Sequence, residues 1–374
     1  MNILVTGADG FIGKNLLVRL KEFSDFAVST YVRGDSQREL AKKIVGSDAI
    51  FHLAGENRPR DNAAFEEGNS GLTCKICSIM STLEKPVPII MTSSIHAGAD
   101  GPYGKSKLAA EGHVESLTAN TNNPAIIYRL PGVFGKWCKP NYNSVVATFC
   151  HNIVNDLPLR IDNKNSLLKL VYIDDVVSSL LMCLEESLPI GITRKSVAPE
   201  YQVAVGDIAN KLKEFKESRE NLVLEGVGTG FTRALYSTYI SHLPTTMFTY
   251  SLQCHEDKRG MFVEMLKTKE SGQFSFFSAH PGVTRGGHYH HTKTEKFLVI
   301  KGTARFCFRE IVTDEYFKIE TFGAIPTVVE SVPGWSHDIT NIGDDELLVM
   351  LWANEVFDPA KPDTIMSKLE NEKT

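Results

Sequence analysis

The stretch Asn2-Ile-Leu-Val-Thr6-Gly7-Ala-Asp-Gly10-Phe-Ile-Gly13 sets a short apolar run directly before three glycines, and Leu16, Leu17 and Leu20 follow at helical spacing. The apolar run predicts a strand buried on both faces, and the leucines predict a helix packed on it. Strand, glycine turn and helix together can receive a pyrophosphate: the glycines let the turn close and the anion approach, and the helix N-terminus offers free N–H groups. Downstream, Ala27 to Arg33, Asp48 to Gly55, Val87 to Thr92 and Ala125 to Arg129 read as further strands. Residues 63–83 and Asp207 to Phe215 read as helices. This alternation predicts an α/β fold with a doubly wound parallel sheet of the Rossmann type.

A chain of 374 residues has room for two domains. Hydrophobic residues at 42% and charged residues at 23% are ordinary for a soluble globular protein. A formal net charge of -5, with no run of Lys or Arg, excludes binding to a nucleic-acid backbone. No apolar run reaches the roughly 18 residues of a membrane span, and the first residues read as a buried strand rather than a signal peptide. Seven scattered cysteines fit a reducing compartment, so a cytoplasmic protein without membrane or nucleic-acid partners is expected. Cys74-Lys-Ile-Cys77 has redox-motif spacing, but it lies in a helical stretch without a second pair and reads as core packing.

Ser93-Ser94 ends the fourth apolar run, and Tyr103-Gly-Lys-Ser-Lys107 opens the next helical pattern. Positions i and i+4 share a helix face, and a nearby ammonium favours phenolate, which makes the tyrosine a better proton donor to a carbonyl under reduction. With its Gly-x-x-Gly-x-x-Gly turn, strand-end serines and Tyr/Lys pair in this order, the chain resembles the extended short-chain dehydrogenases/reductases. The resemblance implies that Ser94, with Ser93 as the alternative register, holds the substrate carbonyl beside Tyr103, with Lys107 completing the catalytic set. It implies cofactor contacts at Gly7, Asp9, Gly10, Phe11, Ile12, Gly13, Arg33, Leu53, Ala54, Gly55, Tyr103 and Lys107. The family motif continues past the serines with a Tyr-Gly pair, whereas this chain has Ile95-His-Ala-Gly98. Arg33, at the end of the second strand, suits a 2′-phosphate and hence NADPH, with Asp35 as the counter-indication. Arg129-Leu-Pro-Gly-Val-Phe-Gly135 and Leu170-Val-Tyr-Ile-Asp-Asp-Val-Val177 resemble further segments of the same family, usually nucleotide-sugar enzymes. Asp174 and Asp175 read as helix-capping carboxylates. This domain is expected to span 1–243.

Beyond Pro244 the texture changes to short alternating runs, Phe262 to Leu266, Phe274 to Phe277, Phe297 to Ile300, Ala304 to Phe308 and Leu347 to Trp352, separated by turn residues. They predict an all-β jelly roll over 244–374. His288 and His290 alternate by two, so their rings face one side of a strand; Glu295 follows a bend, and His337 comes from a later run. Three imidazoles and a carboxylate suit one divalent metal, zinc, iron, manganese or nickel, with zinc as the expectation. Gly287-His-Tyr-His-His-Thr-Lys-Thr-Glu-Lys-Phe-Leu-Val-Ile-Lys-Gly302 and His337-Asp-Ile-Thr-Asn341 resemble the two cupin motifs. Glu256 to Glu264 and Thr284 to His288 also resemble the nucleotide-sugar 3,5-epimerases, metal-free cupins in which the matching histidine is a base. His288 therefore stands as ligand or base, and His291 as a spare ligand or surface residue.

A reductase followed by such a cupin, with His52-Leu-Ala-Gly-Glu-Asn-Arg-Pro59 in the first half, resembles a bifunctional family of capsular-polysaccharide synthesis. That resemblance implies a UDP-2-acetamido-2,6-dideoxy-hexos-4-ulose, a UDP-linked 4-keto-6-deoxy-HexNAc, epimerised at C3 in the cupin and reduced at C4 with NADPH, toward UDP-N-acetyl-L-fucosamine. A C3 proton is labile only while C4 is a ketone, so epimerisation comes first. The competing readings are a monofunctional 4-keto-sugar reductase whose cupin only dimerises, and a non-catalytic NADPH-sensing scaffold. A homodimer is expected, since jelly rolls leave edge strands that can pair.

Overall fold

The computed structural model describes residues 1–59, 61–185, 188–224, 226–257, 260–263, 265–266, 272–355, 358 and 360–369. It comprises two compact units: Met1–Phe134 with Asn141–Ser144 and Leu168–Gln202, and Gly135–Pro140 with Val145–Leu167 and Val203–Thr374. The strands of the first 204 residues are β1 (Asn2–Thr6), β2 (Ala27–Tyr31), β3 (Ala49–His52), β4 (Ile89–Ser94), β5 (Pro124–Leu130), β6 (Gly132–Phe134), β7 (Leu167–Tyr172), β8 (Gly191–Lys195) and β9 (Tyr201–Ala204). The α-helices are α1 (Phe11–Leu20), α2 (Gln37–Val45), α3 (Ala63–Phe65), α4 (Leu72–Met80), α5 (Pro102–Asn120), α6 (Val145–Val154), α7 (Ile173–Glu185), α8 (Val205–Asn221) and α9 (Gly230–Ser241).

The first unit is built on a sheet in the order β2-β1-β3-β4-β5-β8, every neighbouring pair parallel. Both faces of its central strands are buried, as the continuous apolar runs require. One face meets α2, α4 and α5 in a core of Leu4, Leu40, Ile44, Ile50, Ile76, Met80, Ile89, Met91, Ala110, Val114 and Ile127. Strand order reverses between β1 and β3, and the crevice beyond their C-terminal ends is where such sheets bind ligands. The glycine turn, Leu53 to Gly55, Ser93 and Ser94 all sit at C-terminal ends of these strands.

Three local departures from the sequence reading have physical causes. β2 stops at Tyr31 because the Asp35 carboxylate accepts a 3.2 Å bond from the Val32 N–H and turns the chain, leaving Arg33 in the turn. The expected helix over 63–83 is interrupted by a π-helix at Glu66–Gly71, where Glu-Glu-Gly-Asn-Ser-Gly combines weak helix formers. The widened turn carries Asn69 to the backbone of Glu56, whose N–H it accepts at 2.9 Å. Finally, the stretch before Pro244 forms α9, whose Tyr, Thr and Ser residues disguise a helix buried at Ala234 to Ile240.

In the second unit, α6, α8 and α9 pack together, and the chain continues as β10 (Thr249–Ser251), β11 (Cys254–Asp257), β12 (Gly260–Val263), β13 (Gln273–Ala279), β14 (Thr284–Tyr289), β15 (Glu295–Lys301), β16 (Thr303–Glu310), β17 (Tyr316–Phe322), β18 (Thr327–Glu330), β19 (Trp335–Asn341), β20 (Leu347–Ala353) and β21 (Ile365–Met366). Two antiparallel sheets, β10-β18-β15-β20-β13 and β17-β16-β19-β14-β21, make a cupin-like jelly roll. Phe248 is fully buried, with edge-on contacts to Phe308, Phe317 and Trp335 at 5.7, 5.8 and 5.0 Å. Asn341, which ends the second cupin-like motif, is an architectural residue: its amide donates to the carbonyls of Ala279 and Asp345, both at 2.9 Å.

A buried ion cluster joins α8 to this roll. Arg219 from α8 and Lys296 from β15 both pair with Glu330 of β18, and the Tyr250 ring lies under the two cations, 4.5 Å from the guanidinium and 5.1 Å from the ammonium. Removing the shared anion leaves two desolvated cations facing each other. Glu330→Ala is therefore expected to cost about 3–5 kcal/mol in denaturant unfolding; a loss below about 1 kcal/mol would show that the cluster does not hold α8 in place.

Candidate active site and metal centre

Gly7 lies at a φ of +70°, and a Cβ there would stand 2.6 Å from the backbone of Ala54, so only glycine lets β1 turn this close to Leu53-Ala54. A Cβ at Gly13 would meet the Gly7 carbonyl at 2.2 Å. Asp9 and Gly10 face solvent, with Phe11 and Ile12 half-buried behind them. This exposed turn at the start of α1 can take a pyrophosphate. At the rim, Arg33 is 87% exposed and ion-paired with Glu56, while Asp35 is held by Lys43 at 2.9 Å. The residue expected to read a 2′-phosphate is thus free of Asp35 and engaged by Glu56.

Ser94, Tyr103 and Lys107 meet at the end of β4. The loop from Ser94 to Gly101 packs tightly on the first turn of α5: a Cβ at Gly104 would stand 2.4 Å from the Ala99 carbonyl. Pro102 opens the helix. Burial raises the Tyr103 phenol above its usual value, and its hydrogen bond with Ser94 opposes that rise. The Phe65 ring lies edge-on to it at 5.8 Å. The Ser93 hydroxyl points elsewhere, donating to Glu111 at 2.5 Å, so Ser94 is the serine beside the phenol.

Lys107 is buried, 8% exposed, and donates to the Thr92 carbonyl at 3.2 Å. Burial pushes its ammonium down to about 8, with the Glu111 carboxylate opposing the shift. A Cβ at Gly55 would stand 3.3 Å from its Nζ and 2.8 Å from the Asn69 amide oxygen, so the Leu53-Ala54-Gly55 segment must end in glycine to lie against the lysine. Two residues of this centre gave no signal of their own in the sequence reading. Asn69 binds both the Glu56 backbone and the Ser106 hydroxyl, at 3.0 Å, tying that segment to α5. Glu111 sits one helical turn past Lys107 on the same buried face, and that spacing was the available signal.

In the second unit, one donor atom each from His288, His290, Glu295 and His337 lies within 4.8 Å of all the others. Gly286 and Gly287, at φ +98° and +75°, shift the β14–β19 register and set His288 opposite His337. The Glu295 Oε2 is 3.0 Å from His290 Nε2 and 3.2 Å from His337 Nε2. Burial and the other two imidazoles push His288 down to about 3, so its ring is neutral, the form that either a ligand or a base requires. Burial alone would raise Glu295, but His290 and His337 outweigh it and hold the carboxyl well below its usual range. Three imidazoles around an ionised, buried carboxylate are a donor set that fits a divalent transition metal. His291 lies outside the group, buried against Tyr289 with ring centroids 5.4 Å apart.

Asp363, far along the chain, supports this centre. Its carboxylate accepts from the backbone N–H groups of His291, Thr292 and Lys293 at 2.9, 2.7 and 2.8 Å, and its own carbonyl accepts from His290 Nδ1, which directs Nε2 inward.

Residues 3–192 match the model of the NAD dependent epimerase/dehydratase family, and residues 255–365 match the polysaccharide biosynthesis C-terminal domain. The UDP-2-acetamido-2,6-beta-L-arabino-hexul-4-ose reductase of Pseudomonas aeruginosa is 53% identical over 364 residues, covering 97% of this chain and 98% of the relative. The chain belongs to the NAD dependent epimerase/dehydratase family. Over its whole length it is also similar to the crystal structure of the capsular polysaccharide assembling protein CapF from Staphylococcus aureus, with 38% identity, a TM-score of 0.66 and coverage of 99% of this chain and 100% of that one. A UDP-glucuronic acid 4-epimerase from Bacillus cereus, at 21% identity and a TM-score of 0.52 over 58% of this chain and 84% of that one, shares the fold of the first part. Membership of the family implies a nicotinamide dinucleotide cofactor, for which the turn at Gly7 to Gly13 has the required shape. No helix among the described residues is long and apolar enough to cross a membrane.

Asp363→Ala should weaken zinc binding about 10- to 100-fold in a chelator competition, because it releases the corner between His290 and Glu295. Unchanged affinity would remove Asp363 from the metal centre.

Proposed function

We propose that this chain is a bifunctional nucleotide-sugar enzyme of the cytoplasm. Residues 244–374 would epimerise C3 of a UDP-2-acetamido-2,6-dideoxy-hexos-4-ulose through an enolate, and residues 1–243 would then reduce the C4 ketone with NADPH, toward UDP-N-acetyl-L-fucosamine. The observation that carries this reading is the presence on one chain of the Ser94, Tyr103, Lys107 set and of the donor group His288, His290, Glu295, His337. It is supported by whole-length similarity to a relative named as a reductase of a UDP-linked 4-keto sugar.

The cofactor, when bound, supplies the hydride, and Arg33, once released from Glu56, would favour its 2′-phosphate. Ser94 donates a hydrogen bond to the substrate carbonyl and orients it. Tyr103 gives its phenolic proton to the C4 oxygen as the carbonyl is reduced, and the Lys107 ammonium makes that phenol more acidic than burial alone would allow. In the roll, the four donors would hold zinc, which supplies electrophilic stabilisation of negative charge on a substrate oxygen. Removal of the C3 proton places charge on the C4 oxygen and is open only while C4 is a ketone, so reduction closes the sequence. The reading includes a homodimer paired through jelly-roll edge strands.

A second reading, in which the chain only reduces the ketone and the roll serves dimerisation, is favoured by the relative's name, which mentions reduction alone. One pair of variants separates the two. Tyr103→Phe should abolish NADPH oxidation while solvent deuterium still enters C3, and His290→Ala should stop that exchange. Exchange at C3 that survives in His290→Ala, or is absent from the parent enzyme, would leave the monofunctional reading.

A further inference from the structure

The buried face of α5 carries Gly104, Lys107, Ala110, Glu111, Val114 and Leu117. Two of these are charged, and only Lys107 has been given a part in the reduction. Glu111 is 1% exposed. Its carboxylate accepts the Ser93 hydroxyl of β4 at 2.5 Å, and Arg129 of β5 grips both oxygens, with Nε at 3.0 and 3.2 Å and Nη2 at 2.7 Å. A carboxylate this deep is tolerable only when fully paired, and its partners lie on the two strands that border the catalytic residues.

We propose that Glu111 is a positioning residue of the reduction, which fixes the end of β4 so that Ser94 and not Ser93 faces Tyr103, and which supplies the negative charge that keeps Lys107 an ammonium inside the protein. The proposal rests on the reductase reading above. The ionisable groups around Lys107 are His52 on β3, Tyr103 and Glu111 on its own helix, and Arg129 on β5, acting through Glu111. Burial and the nearby lysine push His52 down to about 3, and burial raises Tyr103, so both are neutral near pH 7 and Glu111 is the counter-charge. Arg129 draws on the same carboxylate and weakens its effect on the lysine. Removing the anion lowers the pKa of both Lys107 and Tyr103; removing the competing cation raises both.

The test is a pH titration of Lys107 by 13Cε-lysine NMR on the full chain, with the resonance assigned by its loss in Lys107→Arg, alongside the alkaline limb of kcat for NADPH oxidation by the UDP-linked 4-keto sugar. Glu111→Gln should move the Lys107 midpoint down by about one pH unit and Arg129→Met should move it up, with the kcat limb following in each direction. Ser93→Ala keeps the charge and loses the register contact, so kcat falls while the midpoint stays. Should Glu111→Gln fail to fold, the upward shift in Arg129→Met carries the test. Midpoints that stay in place in both charge variants would overturn the proposal. A wild-type enzyme that does not oxidise NADPH with this ketone would instead refute the reductase reading, while the NMR shifts still report on Glu111.

Discussion

An ammonium held inside the protein is the constraint around which the first unit is arranged. An uncompensated Lys107 would lose its proton to burial, and the proposed reduction would then lack the cation meant to increase the acidity of the Tyr103 phenol. The surrounding residues answer that cost one by one. The Thr92 carbonyl accepts from the Nζ, Gly55 leaves room for it, and Glu111 supplies opposite charge from one turn along α5. The carboxylate raises the same difficulty in turn, which is met by Ser93 on β4 and Arg129 on β5. The geometry proposed for catalysis is thus a by-product of satisfying buried charge: the contact that pairs Glu111 also turns Ser93 away and leaves Ser94 beside the phenol.

The second unit poses the converse problem. There a carboxylate, Glu295, is buried among His288, His290 and His337, and burial pushes the His288 and His337 rings toward their neutral forms. A dication satisfies all four donors at once, whereas protons on the imidazoles would repel one another. The centre's precision comes from backbone devices: the two glycines that shift β14, and the Asp363 carboxylate that gathers three successive N–H groups.

Much of this was legible in the sequence because it depends on local pattern. Asn2 to Gly13 announces strand, turn and helix within a dozen residues, and Tyr103 with Lys107 falls on one helix face by spacing alone. His288, His290 and Glu295 share one short segment, so their convergence could be read. What escaped was set by partners distant in the chain. Asp363 reaches the His291–Lys293 corner from about 70 residues away, and no spacing rule connects them. The π-helix that delivers Asn69 to Glu56 reads as a plain helix with two glycines. Glu111 drew no reading, since its burial is made tolerable by Arg129 lying across it, and the serine register depends on its contact with Ser93. Arg33 was placed at a strand end, but its pairing with Glu56 is a feature of the folded loop.

The central claim is that one ketone passes through both chemistries on this chain, inversion before reduction. It is tested most directly by a single turnover of the UDP-linked 4-keto sugar in D₂O with unlabelled NADPH, followed by NMR of the product sugar. The account predicts deuterium at C3 and protium at C4, the first from solvent and the second from the cofactor. A reduced product that retains protium at C3 would contradict it.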